Sequence, residues 1–340
     1  MALQRTILAG LIFAGLKISA PLAAEGDDFY RGKTLTLSIS AGVGGGFDTY
    51  GRTVAEHLGK FIPGKPVVTP DNRVGAGGRV AANWLYNLAP KDGSVIALLG
   101  GWIPFEPLWE IQGVQFDPSK FLWLGNANRE VSTCLYWNRN GIDRFDVLKA
   151  RETLTASYGP QTAQTQDVIA LNAFAGTKIK VIHGYSGTNE SVLAAERGEV
   201  DGTCGIWASS VKSAYQRYIK DGSMRAIVQM GAQDHPDLPG VPNAIRELKS
   251  IEDRQSWDLI FGQLEIARSF AAPPGTPPSR VAILRKAFDD LFADPGFLAA
   301  AQQRGLEIRP LSGEQMHPLI GQILATPKPI VARVKKLLDY

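Results

Sequence analysis

The chain has 340 residues, 44% of them apolar and 20% charged, with a formal net charge of +3. That length supports two folded units, and the balance of apolar and charged residues is that of a globular protein rather than a disordered or fibrous one. A charge so close to neutral, with no basic stripe, excludes a nucleic-acid-binding surface.

The chain opens with a short basic segment, Met1 to Arg5, followed by an apolar run over 6–16 and the small residues Leu22-Ala-Ala24 before Glu25. This is the pattern of a secretory signal, with export of the chain and cleavage after Ala24 expected. The apolar run ends at Lys17, well short of the roughly 20 residues a membrane span needs. No Cys stands near the cleavage point, which argues against a lipid anchor. Removing 1–24 takes away Arg5 and Lys17 and leaves 34 basic against 33 acidic residues, a net +1. Any steering of an anion must therefore come from local placement rather than from the global field.

A β-type run over 34–39 leads into Ala41-Gly-Val-Gly-Gly-Gly-Phe-Asp48, and a helical pattern over 50–62 leads out. Val54, Leu58, Phe61 and Ile62 recur at helical spacing, with Asp48 placed to cap the helix. Pro63-Gly-Lys-Pro66 ends it. A second short strand begins at Val67 and runs into another glycine turn, Asn72-Arg-Val-Gly-Ala-Gly-Gly78. A helix follows with Val80, Ala81, Trp84, Leu85 and Leu88 on one face. Residues 94–99 form a continuous apolar run, the mark of a strand buried on both sides. The first hundred residues thus read β-α-β-α-β, with glycine turns at the carboxyl ends of the first two strands.

Residues 103–119 are irregular and rich in Pro, Trp and Phe. Strands are predicted over 121–124, 131–137, 154–158 and 178–185, and helices over 164–175, 188–197 and 209–220, with a turn and strand over 198–204 and a strand over 224–230. This second β/α alternation predicts a second doubly wound unit. A proline-dense loop, 234–242, precedes a returning strand over 264–272. Helices are predicted over 278–292 and 295–304, a short strand over 306–310, and helix over 312–340 interrupted by Pro327 and Pro329. Cys134 and Cys204 both fall in strand-like runs. An even count in an exported chain permits one disulfide, and two buried free thiols remain the alternative. A bridge would close a long loop and contribute roughly 4 kcal/mol in the chain-entropy picture.

Several chemistries fail on the residues. Gly42-Val-Gly44 starts a dinucleotide fingerprint, but Phe47 stands where its third glycine belongs. Gly46 to Thr53 has P-loop spacing, but Arg52 replaces the lysine. Gly184-Tyr-Ser-Gly-Thr188 lacks the last glycine of a nucleophile elbow. The four histidines, His57, His183, His235 and His317, are far apart, with no metal-ligand spacing. No catalytic residue, cofactor or metal is expected. What remains is a set of turns rich in glycine and hydroxyl groups where strands hand over to helices: 44–48, 75–78, 159–165, 185–189 and 203–210. In open α/β sheets such turns gather at one edge and present backbone N–H groups to anions.

These residues carry a resemblance. The Gly-Gly-Gly-Phe-Asp turn at 44–48 with Arg52, the 72–78 turn, Ala89-Pro-Lys-Asp-Gly-Ser94, Tyr185-Ser-Gly-Thr188 with Gly198-Glu-Val-Asp201, Leu238-Pro-Gly-Val-Pro242 and Ala272-Pro-Pro-Gly-Thr-Pro277 occur in this order over essentially the whole mature chain. Together they resemble the Bug family, the periplasmic substrate-binding receptors of tripartite tricarboxylate transporters. The resemblance implies an α/β fold of two lobes, a Venus flytrap of the type II periplasmic binding proteins, each lobe a sheet flanked by helices. It implies one lobe from 25–126 with 228–340 and another from 127–227.

It also implies a non-catalytic monomer that captures a small organic acid and delivers it to a two-component membrane permease. A sensory receptor of the same fold, signalling to a membrane kinase, is the alternative. An exported hydrolase or isomerase is disfavoured by the missing nucleophile–base pattern. Ligand contacts implied by the family map onto Gly45, Gly46, Phe47, Asp48, Ala76, Gly77 and Gly78 in one lobe. In the other they map onto Gly159, Gln161, Thr162, Thr165, Tyr185, Thr203 and Gly205. Asp48 is expected both to cap its helix and to accept from the ligand. Trp102 and Trp207 are candidate walls. The 159–165 turn, Gly-Pro-Gln-Thr-Ala-Gln-Thr, departs from the family's usual Gly/Ser composition, and Ser186 stands where a cation is usual. These departures point to a mono- or dicarboxylate rather than a tricarboxylate.

Overall fold

A computed structural model describes residues 28–339, so the secretory segment 1–24 lies outside the described residues. In chain order the elements begin with β1 Thr34–Ile39, α1 Gly46–Leu58, β2 Val67–Asn72, α2 Arg79–Asn87, β3 Val95–Gly100 and β4 Leu122–Asn126. Next come β5 Ser132–Trp137, α3 Phe145–Ala150, β6 Thr153–Ser157, α4 Ala163–Ala170 and β7 Ile179–His183. They continue with α5 Thr188–Arg197, β8 Gly202–Trp207, α6 Ala208–Ser213, α7 Gln216–Lys220 and β9 Met224–Met230. After a long connection follow α8 Ile251–Phe261, β10 Arg268–Ala272, α9 Pro278–Ala293, α10 Pro295–Gln303, β11 Leu311–Ser312, α11 Gly313–Leu324 and α12 Lys328–Leu338.

The strands form two sheets, ordered β11-β4-β10-β3-β1-β2 and β7-β6-β8-β5-β9. In the first, β1 is parallel to β2 and β3, while β10 inserts antiparallel between β3 and β4. In the second, β6 is parallel to β7 and β8, and β5 is antiparallel to β8 and β9. The fold is α/β and two-lobed, each lobe a mixed sheet flanked by helices. β3 is buried along its whole length, as its unbroken apolar run requires.

The lobes are not separate bodies. Trp257 and Phe261 of α8 stack at 4.3 Å between ring centres, and Phe174, just after α4, meets Trp257 edge-on at 6.4 Å. α12 of the first lobe also contacts α4 of the second, and one apolar core runs from one lobe into the other.

Several boundaries differ from expectation, each for a local reason. α1 begins at Gly46, not residue 50, because Asp48 in its first turn takes the Gly44 N–H at 2.9 Å and Gly45 serves as N-cap. Asp48 is therefore not the cap residue. The helix expected over 209–220 is two short helices, since Tyr215 leaves the helical conformation and turns its hydroxyl to Asn189 at 2.6 Å. Residues 306–310 are not a strand: only Arg309 bridges to Asn128, and β11 lies just beyond. Pro327 and Pro329 sit at the start of α12. β9 pairs with β5 through Met230, so the return to the first lobe expected at 228 falls inside a strand of the second sheet.

α8 had no strong apolar periodicity to reveal it. Its signal was the cap Ser250, whose Oγ accepts the Asp253 N–H at 3.0 Å. Cys134 and Cys204, on adjacent strands β5 and β8, are joined by a disulfide. The pairing register shifts at Cys134, where the bridge draws the strands together.

Candidate functional site

The two glycine turns of the first lobe lie side by side because β1 and β2 pair in register, Ile39 opposite Asn72. An ionised network locks them together. Asp48, 3% exposed, accepts from Gly44 N–H at 2.9 Å, Arg52 Nε at 2.8 Å and Asn72 Nδ2 at 2.9 Å. Arg52 also donates to Asn72 Oδ1 at 2.8 Å, and Asn72 to the Ala41 carbonyl at 2.8 Å. The Arg52 hydrogen bond, followed by those from Gly44 and Asn72, holds the Asp48 carboxyl down at about 2 against the opposing effect of burial. Asp48 thus shapes the turn from behind. Its carboxylate is committed to protein donors.

The ends of both turns are open. Gly44, Gly45 and Gly46 are exposed, and a Cβ on any of them would meet nothing. Ala76 and Gly77 are exposed with positive φ, and Gly78, also at positive φ, is buried as the N-cap of α2. Trp102 connects the two turns. Its Nε1 donates to the Gly77 carbonyl at 2.7 Å, and its ring lies 5.6 Å from that of Phe47. Gly100 makes this possible, since a Cβ there would come within 2.4 Å of the indole.

Trp102 also lines a cavity of about 320 Å³ between the lobes. Its first-lobe side includes Phe105, Trp109 and the Arg79–Glu106 ion pair at 2.7 Å. Its second-lobe side includes Gln161, Ala163, Gln166 and Trp207. Aromatic rings and amides predominate, the surroundings of an apolar body carrying a few polar groups.

The remaining second-lobe residues divide. Gln161 faces the cavity. The Gly159 carbonyl accepts from Thr162 and Thr165 hydroxyls, both at 2.8 Å, and so supports the start of α4. Thr203 is fully buried and accepts from Gln164 Nε2 at 2.8 Å. Gly205 has φ +69, and a Cβ there would lie 2.5 Å from the Gln164 nitrogen. Tyr185 lies away from the cavity, its hydroxyl directed to Glu199 at 3.4 Å. Thr165 and Thr203 therefore position α4, while Gln161 lines the cavity.

Three charged residues escaped the sequence reading. Asp167 of α4 is buried, accepts from the Ser132 hydroxyl and the Gly205 N–H, and is pushed by burial up to about 7. Glu130 is fully buried, with Oε1 accepting from Asn128 at 2.9 Å and Ser209 at 2.7 Å; burial pushes its carboxyl up as well. Arg268, 7% exposed at the start of β10, lies among the rings of Phe47, Tyr50 and Trp207. No local pattern marks Arg268, because its neighbours come from distant parts of the chain.

His235, Asp237 and Glu307 are the one group among the described residues with metal-ligating atoms close together. They are already engaged: His235 Nδ1 accepts the Asp237 N–H at 3.1 Å, His235 Nε2 meets Glu307 at 3.0 Å, and Asp237 holds Lys212 at 2.8 Å.

Residues 146–336 match the family described as the tripartite tricarboxylate transporter family receptor. The chain belongs to this family. Its members are receptors rather than enzymes. Over 315 residues the chain is 24% identical to a UPF0065 protein from the tcbD-tcbE intergenic region of Pseudomonas sp. (strain P51), covering 89% of this chain and 86% of that protein. Among solved structures, a TctC solute-binding protein from Polaromonas superposes with a TM-score of 0.69 at 18% identity, over 91% of this chain and 99% of that one. R. palustris Rpa4515 with adipate superposes with a TM-score of 0.60 at 17% identity, over 91% and 98%. At these identities the structural likeness establishes the fold.

Proposed function

We propose that this receptor captures a small organic carboxylate in the periplasm and passes it to a two-component membrane permease. One observation carries the reading: Trp102 ties both open glycine turns to the wall of the inter-lobe cavity. Backbone N–H groups at the starts of α1 and α2 offer a carboxylate donors that need no titrating side chain. The aromatic walls suit the body of the molecule. That a receptor of similar fold is described with adipate supports this class.

In this reading the lobes divide at 127–131 and again just after 230, and closure brings Gln161 and the start of α4 toward the turns. Gly45, Gly46, Phe47, Ala76 and Gly77 meet the carboxylate. Asp48, Gly78, Gly159, Thr162, Thr165, Thr203 and Gly205 hold the two faces in shape. The ring- and amide-bearing walls, whose one lining cation among the described residues, Arg79, is already paired with Glu106, favour a mono- or dicarboxylate over a tricarboxylate. Isothermal titration against a panel of mono-, di- and tricarboxylates tests this. Tight binding of a mono- or dicarboxylate is expected. Binding of citrate alone would overturn that preference, and binding of none would overturn the function.

A further inference from the structure

Arg268 stands apart from the other buried arginine contacts of the chain. Its guanidinium carbon lies 4.4 Å from the ring centre of Phe47, 5.0 Å from Tyr50 and 4.9 Å from Trp207. Phe47 and Tyr50 belong to α1 in the first lobe, and Trp207 ends β8 in the second. One cation is therefore enclosed by rings from both lobes.

Its polar groups are poorly provided for. Nη1 donates to the neighbouring Ala267 carbonyl at 3.0 Å, and Nε has no partner in the protein. Among the described residues no carboxylate forms an ion pair with it. Glu130 is near enough to be felt electrostatically, but its Oε1 is taken by Asn128 and Ser209, and its Oε2 has no protein partner either. Stacked rings offset part of the cost of burying a guanidinium. They leave the buried Nε–H without an acceptor, a desolvation cost that a surface arginine does not incur.

The location gives this unsatisfied charge a use. Trp207 lines the inter-lobe cavity, and Phe47 packs on Trp102, which lines it too. Phe47 also directly follows the open Gly45–Gly46 stretch.

We propose that Arg268 is the fixed cation of the binding site: it pairs with a carboxylate of the bound ligand and sets the negative charge this receptor demands. The inference rests on the carboxylate-receptor reading and deepens it. A guanidinium held by stacking presents its N–H edge as a fork that matches a carboxylate, so recognition is bidentate and geometric as well as electrostatic. Backbone donors at the glycine turns bind a carboxylate group, and Arg268 makes its charge obligatory. In a dicarboxylate the two could serve opposite ends.

The test is titration calorimetry of the wild-type protein and the Arg268→Gln and Arg268→Lys variants with adipate, hexanoate and uncharged hexanamide. Wild type is expected to bind at least one acid and to discriminate against hexanamide. Arg268→Gln is expected to lose on the order of 10- to 100-fold in acid affinity, as when one partner of a buried charged pair is removed. Arg268→Lys, which keeps the charge but not the fork, falls between. Acid affinity in Arg268→Gln within threefold of wild type would overturn the role of Arg268 while leaving the receptor reading intact. Failure of wild type to bind these acids or any other member of the carboxylate panel would overturn both. Should Arg268→Gln fail to fold, the Arg268 Nε resonance of wild type, identified by its absence in Arg268→Lys, supplies the readout. It is expected to shift on adding the acid that wild type binds, and an unmoved resonance at saturation would overturn the proposal.

Discussion

Replacing Asp48 by Ala tests whether the glycine turns are shaped from behind. The substitution removes one carboxylate that accepts three hydrogen bonds, from Gly44 N–H, Arg52 Nε and Asn72 Nδ2. Arg52 is 40% exposed in its side chain and recovers water, so its share is small. The Gly44 N–H and the Asn72 amide lose a charged acceptor at part-buried positions, Asn72 keeping its bond to the Ala41 carbonyl. At about 1–2 kcal/mol for each of these part-buried charged bonds, the loss is roughly 2–4 kcal/mol in all. Urea denaturation at pH 7 measures it.

The pH dependence separates this network from simple packing. The Asp48 pKa is depressed to about 2 in the folded protein, below its unfolded value near 4. Its contribution is therefore present above pH 4 and lost as pH falls through 2. At about 1.4 kcal/mol per pKa unit, that contribution is at most about 3 kcal/mol. Wild type should lose this increment between pH 4 and pH 2, and Asp48→Ala should not. Parallel loss of stability in the two proteins over that interval, or a pH 7 difference below about 0.5 kcal/mol, would refute the reasoning. Ligand affinity is expected to fall with the variant as well, because the turn loses the carboxylate that holds Gly44 and Asn72 together.

Asp167 behaves in the opposite sense. Its folded pKa near 7 lies above the unfolded value, so ionising it costs stability increasingly from pH 4 to pH 7. Asp167→Asn keeps an acceptor for Ser132 and Gly205 and should stabilise the protein by more at pH 8 than at pH 5, the difference reaching roughly 3 kcal/mol at most. Equal effects at the two pH values, by urea denaturation, would count against a buried titrating carboxyl. Gly205→Ala forces a Cβ to 2.5 Å from the Gln164 nitrogen at φ +69, and should destabilise by at least ~2 kcal/mol with impaired binding through displacement of α4. A neutral result would mean α4 is free to shift. Removing both cysteines of the Cys134–Cys204 bridge, 70 residues apart, should cost roughly 4 kcal/mol, read as the drop in unfolding free energy of the double Ala variant.

What was legible in the sequence was local. β3 showed because a strand buried on both faces is written as an apolar run, and the glycine turns after β1 and β2 showed because they need residues that tolerate positive φ. The disulfide was left open because the approach of β5 to β8 depends on sheet order. α8 escaped because its helical face is largely apolar on one side only near its end, leaving the Ser250 cap as its mark. At the site, the turns were readable as a pattern. Arg268 was not, because it becomes unusual only when Phe47, Tyr50 and Trp207 are folded around it. Asp48 was read as a cap, yet its main partners, Arg52 and Asn72, are revealed by the pairing of β1 with β2.

The central claim is that the cleft holds one organic carboxylate. Mass spectrometry of the small molecules released on denaturing protein purified in its native state addresses it most directly. The expected result is about one equivalent of a single small acid bearing one or two carboxylates, which rebinds to the emptied protein. Release and rebinding of a neutral or cationic compound instead would contradict it.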